Sequence, residues 1–490
     1  MYFFIINHDF KYECEKVARL FLPFEKFIFS NEKVSCENYI LTELIEYESN
    51  VTLLVEISAN NTKISKSSEV LKSCDNFKGE CERNLGVNIF NCLSELTCYK
   101  PDWGILTGIR PAAFLARLEK KMGKEKAKEF FKEKMLVSDN KIRLCEECLE
   151  TENEIISKSK DNSFSLYISI PFCPSRCKYC SFVSHSVEAS RHLIPQYVEL
   201  LCQEIEYTSK IAKKLNLKLE TIYIGGGTPT TLEAEDLEKI MNTVSSCFDL
   251  SEIKEYTVEA GRPDTITLQK LNVIKQCGAT RLSINPQTMN DEVLKNIGRN
   301  HTADMFVESF LLARKVGFDN INTDLIAGLE GDSFNSFKDT LNKIIALNPE
   351  SVTVHSLSIK RAATLTKENK FYNIEKGNAA AEMVDFAFSE LEKAGIFAYY
   401  MYRQGKTVGN LENVGYAKKQ KEGIYNIYIM DETHTILACG ASATTKLREP
   451  NGSYIERIFN YKYPYEYISG FEEMLNRKKR VIEFYEIYGN

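Results

Sequence analysis

No stretch of the 490 residues approaches the roughly 18 consecutive apolar side chains that a membrane-spanning helix needs. A one-signed charge excess is missing too: 62 Lys and Arg stand against 68 Asp and Glu, a net charge of −6. The densest basic stretch, residues 120–128, is broken and followed by acidic residues and reads as a solvated helix face, so general nucleic-acid binding is not expected. The opening MYFFIINHDFKYE lacks the basic region and small-residue cleavage site of a secretory signal, which predicts a cytoplasmic location. Internal repeats and low-complexity tracts are absent. Tryptophan is reduced to one residue, Trp103, within PDWGILTGIRPAAFL (101–115).

Cysteine, by contrast, is plentiful, at fifteen residues. An odd count without a secretory signal argues against a disulfide framework. Most cysteines are scattered singly, where a reduced thiol serves as a small buried hydrophobe. Two groups stand apart. Cys145 and Cys148 lie in a charged helical stretch with no matching pair nearby; their CxxC spacing suits a second metal or a redox pair, and i, i+3 thiols on a helix also arise by chance. Cys173, Cys177 and Cys180 crowd into eight residues.

Along the chain, residues 1–100 alternate strand-like runs (YFFIIN, YILTELIEYE, VTLLVEIS) with polar connectors, which predicts a small α+β module. A charged helical region follows, and the polar SKSKDNSF (157–164) marks a boundary. From Ser165 six β-rich runs appear, at 165–170, 221–224, 255–260, 281–284, 321–327 and 351–357. They alternate with helical patterns at 193–215, 233–247, 264–277, 303–316 and 334–347. Strands alternating with helices predict an α/β fold with a parallel sheet of βαβ units, either an incomplete (βα) barrel or an open doubly wound sheet. In both, ligands sit at the carboxyl ends of the strands. A helix at about 376–394 ends at Gly395. Beyond it come hairpin-like runs, IYNIYIM (424–430) and HTILACG (434–440), and a helical terminus from about 464. The expected division is 1–160, 161–395 and 396–490, the last a small α+β domain covering the substrate.

The first barrel strand, SLYISI, runs directly into PFCPSRCKYC. Three thiolates spaced C-x3-C-x2-C suit either an iron–sulfur cluster or zinc, the latter with His185 as a fourth ligand. Three cysteines on a four-iron cube would leave one iron open. The second strand, TIYI, ends in Gly225-Gly226-Gly227-Thr228-Pro229. Such a turn permits positive φ and brings bare backbone close to a ligand or serves as a tight βα connection. Loops on successive strands share one rim, which sets the glycines beside the cysteine triplet.

IPFCPSRCKYC with GGGTP downstream, together with RLSINPQTMNDEVLKNIGRNH (281–301) and NTDLIAGLEG (322–331), resembles the radical S-adenosylmethionine superfamily. Within it, the chain is similar to the oxygen-independent coproporphyrinogen III oxidase (coproporphyrinogen dehydrogenase) family, in its long form with an extra N-terminal domain. The resemblance covers about 165–445. It implies a partial (βα)6 barrel in which Cys173, Cys177 and Cys180 hold a [4Fe–4S] cluster. It also implies that S-adenosylmethionine is contacted by Tyr167, Tyr179, Phe182, Gly226, Gly227, Thr228, Glu259, Gln287, Arg299, Asp324 and Ser358. Tyr167 joins the three cysteines as a residue of the catalytic centre. Reductive cleavage of the cofactor to a 5′-deoxyadenosyl radical, hydrogen abstraction from a tetrapyrrole substrate and an electron donor such as flavodoxin or ferredoxin complete the implied chemistry.

The chain departs from the family pattern in three places. Phe182 occupies the position of a further cysteine in the decarboxylating enzymes, as in relatives regarded as haem chaperones. The glutamate loop reads EAGRPDT rather than an EANP-like or EVDP-like turn. Asn426 stands without the His and Trp common in the chaperones. The expected function is oxidative decarboxylation of coproporphyrinogen III to protoporphyrinogen IX. The alternatives are haem binding and delivery, or radical chemistry on another porphyrin. Arg110, Arg262, Arg361 and Arg403 are the cationic candidates for propionate anchors. His355 points to the same rim or packs in the core.

Overall fold

A strand buried on both faces needs apolar side chains at nearly every position, whereas a half-buried strand alternates. Both patterns occur, in different parts of the chain. The computed structural model describes residues 1–180, 185–358, 372–405, 407–450 and 452–489. Packing gathers them into two units made of separate stretches. One comprises Met1–Leu149, Ser356–Asp385 and Met401–Asn413; the other comprises Glu150–His355, Phe386–Tyr400 and Val414–Asn490.

In the first unit a five-stranded sheet runs in the order Ile28–Ser30, Tyr2–Ile6, Tyr39–Glu46, Asn50–Ala59, Thr62–Leu71. Asn50–Ala59 alternates strictly between buried and half-buried residues, and helices Lys11–Phe21 and Phe77–Thr97 bring Phe21, Leu85, Ile89 and Phe90 into the core beneath the sheet. The lone tryptophan has a polar reason for its place. Trp103 is buried and its indole N–H donates to Glu412 Oε2 at 2.6 Å. Lys141, equally buried, reaches Glu412 Oε1 at 2.7 Å and Asp385 at 2.8 Å. Cys145 and Cys148 are both buried on the helix Asp139–Ile156, and Cys145 Sγ lies 3.9 Å from Met401 Sδ.

The second unit carries an eleven-stranded sheet. Its centre is the six strands Ser163–Ile170, Lys218–Gly226, Glu255–Glu259, Arg281–Ser283, Ile321–Ala327 and Ser351–Ser356, neighbours in chain order. The first five pair in parallel. Helices Ile194–Lys214, Ala234–Cys247, Leu268–Gln276, Ala303–Val316 and Phe334–Leu347 make the crossovers. The first and sixth strands are not neighbours: Thr435–Cys439 flanks the first and Glu412–Ala417 the sixth. The barrel is therefore partial, as expected. Among the described residues no helix is long and apolar enough to cross a membrane.

One expectation is corrected. IYNIYIM forms a helix, Ile424–Met430, not a hairpin strand. Its β-prone composition is overridden at its N-terminus, where the buried Glu255 carboxylate accepts the Ile424 N–H at 2.5 Å. A carboxylate there satisfies an otherwise orphaned donor and complements the helix dipole. Tyr425 and Tyr428, one turn apart, then face the core.

Two buried polar centres hold the unit together. Glu204, on the first crossover helix, is fully buried and accepts from Tyr467 Oη, Gly440 N and Asn460 Nδ2 at 2.7–2.8 Å while pairing with buried Lys478 at 3.0 Å. Removing one side of a buried pair strands the other charge. Lys478→Met is expected to destabilise the protein by about 3–5 kcal/mol, read from urea unfolding.

The second centre is His434, bonded to Ser159 and Ser165 and stacked on Tyr428 at 3.6 Å. Burial pushes its imidazole down to about 4 from the ordinary 6.5. It is therefore neutral near pH 7 despite Glu220 at 3.7 Å. On acidification the unfolded chain takes up this proton first. Stability is expected to be level in this respect above pH 6.5, to fall towards pH 4 and to flatten below it. In His434→Gln that segment of the stability–pH profile becomes shallower.

Candidate active site at the carboxyl ends of the parallel strands

The first strand ends at Ile170 and the cysteine loop begins at once, so its backbone is fixed where it leaves the sheet. The glycine turn of the second strand completes this anchorage: Gly227 N donates to Ile170 O at 2.7 Å and Thr228 N to Phe172 O at 2.8 Å. Thr228 Oγ1 lies 3.5 Å from Cys173 Sγ, to which it donates. These contacts explain the glycines individually. Gly226 has φ +109°, and a Cβ on Gly227 would lie 2.5 Å from Phe172 O and 3.0 Å from Cys173 Sγ. A Cβ on Gly225 would meet a Glu259 carboxylate oxygen at 2.9 Å.

The far side of the cysteine loop is tied to later loops. Lys178 N donates to Ile297 O at 3.0 Å and Ser175 Oγ to Gly298 O at 3.2 Å. Arg299, buried, donates to Tyr179 Oη at 3.1 Å and to the carbonyls of Gly261 and Asn285 at 3.1 and 3.0 Å. Its fork thus spans three loops. Arg262, expected among the propionate anchors, is instead 3% exposed and turned onto the cysteine loop. Arg403, another anchor candidate, is likewise corrected: it is buried in the first unit, donating to the Leu106 and Asn410 carbonyls. Burial of a guanidinium demands a full set of acceptors, and backbone carbonyls supply them here.

All fifteen cysteines are free thiols, Cys177 buried and Cys173 and Cys180 half-buried. Among the described residues no group of three His, Cys, Asp or Glu is gathered as a site for a single metal ion. The donor set of three thiols in one loop against bare backbone nevertheless fits a cluster bound at three corners.

Behind the loop, the floor of the site is aromatic and acidic. Tyr167 is in register with Tyr223 on the next strand. Tyr425 stacks on Tyr223 at 4.6 Å and lies 6.2 Å from Tyr167. Burial raises the Tyr167 phenol above its ordinary range. Tyr223 Oη donates to Glu259, whose carboxyl is pushed up to about 7 by burial, with Asp324 adding to the rise and the Tyr223 bond opposing it. At Asp324, burial alone would raise the carboxyl. His355, at 3.7 Å, and the Asn322 amide, at 2.7 Å, outweigh it and hold the group below the usual range.

Gln287 has a left-handed backbone, φ +69°, clamped by its own N–H to Asp324 O and by Ile326 N–H to its carbonyl. Its side-chain Oε1 is buried with no hydrogen-bond partner among the described residues, an acceptor open to a further donor. That orphan and the glycine cradle are what a polar, amino-bearing cofactor beside the cluster needs. Ser358 belongs to the first unit, where it forms a bridge with Thr407. Phe182 and Arg361 lie outside the described residues.

Sequence reasoning missed Tyr223, Tyr425, Ser175 and the role of Asp264 beneath Arg262. Tyr223 had a signal in TIYI, separated from the glycines by the single strand residue Ile224. Tyr425 had none, because its position follows from an unexpected helix.

Gly227→Ala forces the added methyl group against a carbonyl that the loop cannot move. Iron and acid-labile sulfide retained after anaerobic reconstitution are expected to fall several-fold, with far-ultraviolet circular dichroism unchanged.

The profile of the Radical SAM superfamily matches residues 167–344. The chain is 38% identical over 398 residues, 80% of its length and 79% of the relative's, to the oxygen-independent coproporphyrinogen-III oxidase-like protein HemZ of Bacillus subtilis. It is 33% identical over 316 residues, 61% of its length and 77% of the relative's, to the heme chaperone HemW of the same organism. In fold it is similar to the structure of coproporphyrinogen III oxidase (HemN) from Escherichia coli, with TM-score 0.51 and 21% identity over 66% of this chain and 72% of that one. The chain belongs to the radical S-adenosylmethionine superfamily, in the oxygen-independent coproporphyrinogen III oxidase-like family, whose cofactors are a [4Fe–4S] cluster and S-adenosylmethionine.

Proposed function

We propose that this protein is a radical oxidoreductase of tetrapyrrole metabolism that converts coproporphyrinogen III to protoporphyrinogen IX by oxidative decarboxylation of two propionate side chains. The observation that carries the radical chemistry is the cysteine loop locked onto a glycine turn, with an unpaired amide oxygen at Gln287 on the same rim. The likeness to a coproporphyrinogen-III oxidase-like protein over four fifths of the chain supports the substrate class.

Cys173, Cys177 and Cys180 would hold the cluster, and Gly226, Gly227 and Thr228 would receive the methionyl end of the cofactor through backbone groups. When bound, this pair supplies a carbon radical able to take hydrogen from an unactivated C–H bond. The chain's own part is to position and to exclude. Glu259, poised near neutrality, and Asp324, held ionised, offer acceptors of different proton affinity for amino and hydroxyl groups. The stacked rings of half-buried Tyr167 and Tyr223 and buried Tyr425 close the floor and limit the water that reaches the reacting carbon. Arg299 acts through Tyr179, steadying the loop that carries the third cysteine.

A second reading, haem binding and delivery, is favoured by Phe182, which stands where decarboxylating relatives have another cysteine, and by the likeness to heme chaperones.

One anaerobic assay separates the readings. Reconstituted protein is mixed with S-adenosylmethionine, dithionite and coproporphyrinogen III, and products are followed by mass. The proposal expects 5′-deoxyadenosine together with two losses of carbon dioxide per tetrapyrrole. Deoxyadenosine without a vinyl product would discard the substrate and keep the chemistry. Neither product, with stoichiometric haem binding, would establish the carrier.

A further inference from the structure

Arg262 sits in the loop EAGRPDT, where the chain departs from the family's usual turn, and its surroundings leave it little freedom. Asp264 grips the guanidinium from one side, with Nε to Oδ1 at 3.1 Å and Nη2 to Oδ2 at 3.3 Å. Nη2 also donates to Ser175 Oγ at 3.0 Å. The backbone beneath is fixed as well, since Arg262 O accepts from both Thr265 N and Thr265 Oγ1. One arm of the fork remains, and Nη1 places it 3.4 Å from Cys177 Sγ. The side chain is 4% exposed and Cys177 is itself buried, so little water screens the contact.

Cys173, on the other side of the loop, receives among the described residues the neutral Thr228 hydroxyl at 3.5 Å. The two thiolates are therefore not equivalent. Of these two, Cys177 receives the charge-assisted donor.

A cluster gains one negative charge on reduction, and part of that charge resides on its cysteine sulfurs. An N–H from a cation stabilises the reduced form more than the oxidised form, and hydrogen bonds to the sulfurs are a recognised lever on cluster potential. Asp264 cancels much of the net charge of Arg262, but the pair remains a dipole with its positive end at the sulfur. The neighbouring Arg299 adds a second buried cation, whereas His301, pushed down to about 3 by burial and by the Arg299 charge, contributes none near neutral pH.

The geometry points to Arg262 as a positioning residue that raises the reduction potential of the cluster through Cys177, with Asp264 holding its fork on the sulfur. The consequence is a cluster more readily reduced by a protein donor, at the cost of some driving force for cleaving the sulfonium bond. This inference rests on the cluster assignment but not on the identity of the tetrapyrrole.

The test is a redox titration of the full-length, anaerobically reconstituted protein, without S-adenosylmethionine or substrate, followed by the electron paramagnetic resonance signal of the reduced cluster. Iron and sulfide are counted in each sample. For Arg262→Met the ratio of reduced to oxidised cluster at a fixed potential is expected to fall about tenfold, which is 59 mV for a one-electron couple. Arg262→Lys, which keeps the charge but loses the fork, should fall between this variant and the native protein. Asp264→Asn, which removes the compensating charge, should move the ratio the other way. A loaded Arg262→Met cluster whose ratio stays within twofold of native would overturn the inference alone. Loss of the cluster from all three variants would also overturn it, making Arg262 a residue of loop folding. A native protein without iron would overturn the family's cofactor assignment here and this inference with it.

Discussion

Two backbone hydrogen bonds, from Gly227 N to Ile170 O and from Thr228 N to Phe172 O, decide where the cysteine loop can be. A loop of ten residues carrying three thiols has no core of its own, so its shape must be imposed by what it touches. The turn that imposes it must come within hydrogen-bonding distance along its whole length, and a side chain at Gly227 would prevent that. The cysteine triplet and the glycine turn are therefore one device written in two distant pieces of sequence.

The other constraint is the placement of buried charge. Arg262 and Arg299 occupy the rim of the barrel with scarcely any exposure, and neither is an idle surface group. Their forks are filled by carbonyls, a tyrosine, a serine and an aspartate drawn from several loops. A guanidinium left short of acceptors in such a place would cost several kcal/mol, so each arginine requires the neighbouring loops to close around it. The rim is rigid for that reason, and a rigid rim suits a reaction that must hold a reactive carbon away from water. The same principle recurs away from the site, at Glu204 with Lys478 and at Glu412 with Lys141 and Trp103.

Much of this architecture is legible in the chain itself. The six parallel strands follow from apolar runs separated by amphipathic helices, because burial on both faces leaves no other composition. The loop at the end of the first strand announces a metal-binding chemistry through thiol spacing, iron–sulfur or zinc, and the glycines announce bare backbone. What periodicity misread was IYNIYIM. Its residues favour a strand, yet Glu255, some 170 positions earlier in the chain, captures the first amide and turns the segment into a helix. Local propensity differs between strand and helix by a fraction of a kcal/mol per residue, which a single charge-assisted bond and two buried tyrosines outweigh.

The sequence by itself determined the fold class, the crowding of three cysteines at the end of one strand and the bare turn beside them, because each depends on residue type and on spacing along the chain. Only the tertiary structure decided which thiolate receives a cation, that Arg262 and Arg403 face inward, that Gln287 keeps an unpaired oxygen and that Tyr425 stacks on Tyr223. Those outcomes depend on the register of neighbouring strands and on which loops meet at one rim. Side-chain direction there is set by long-range packing and by the need to satisfy every buried donor, and neither is encoded in the nearest few residues.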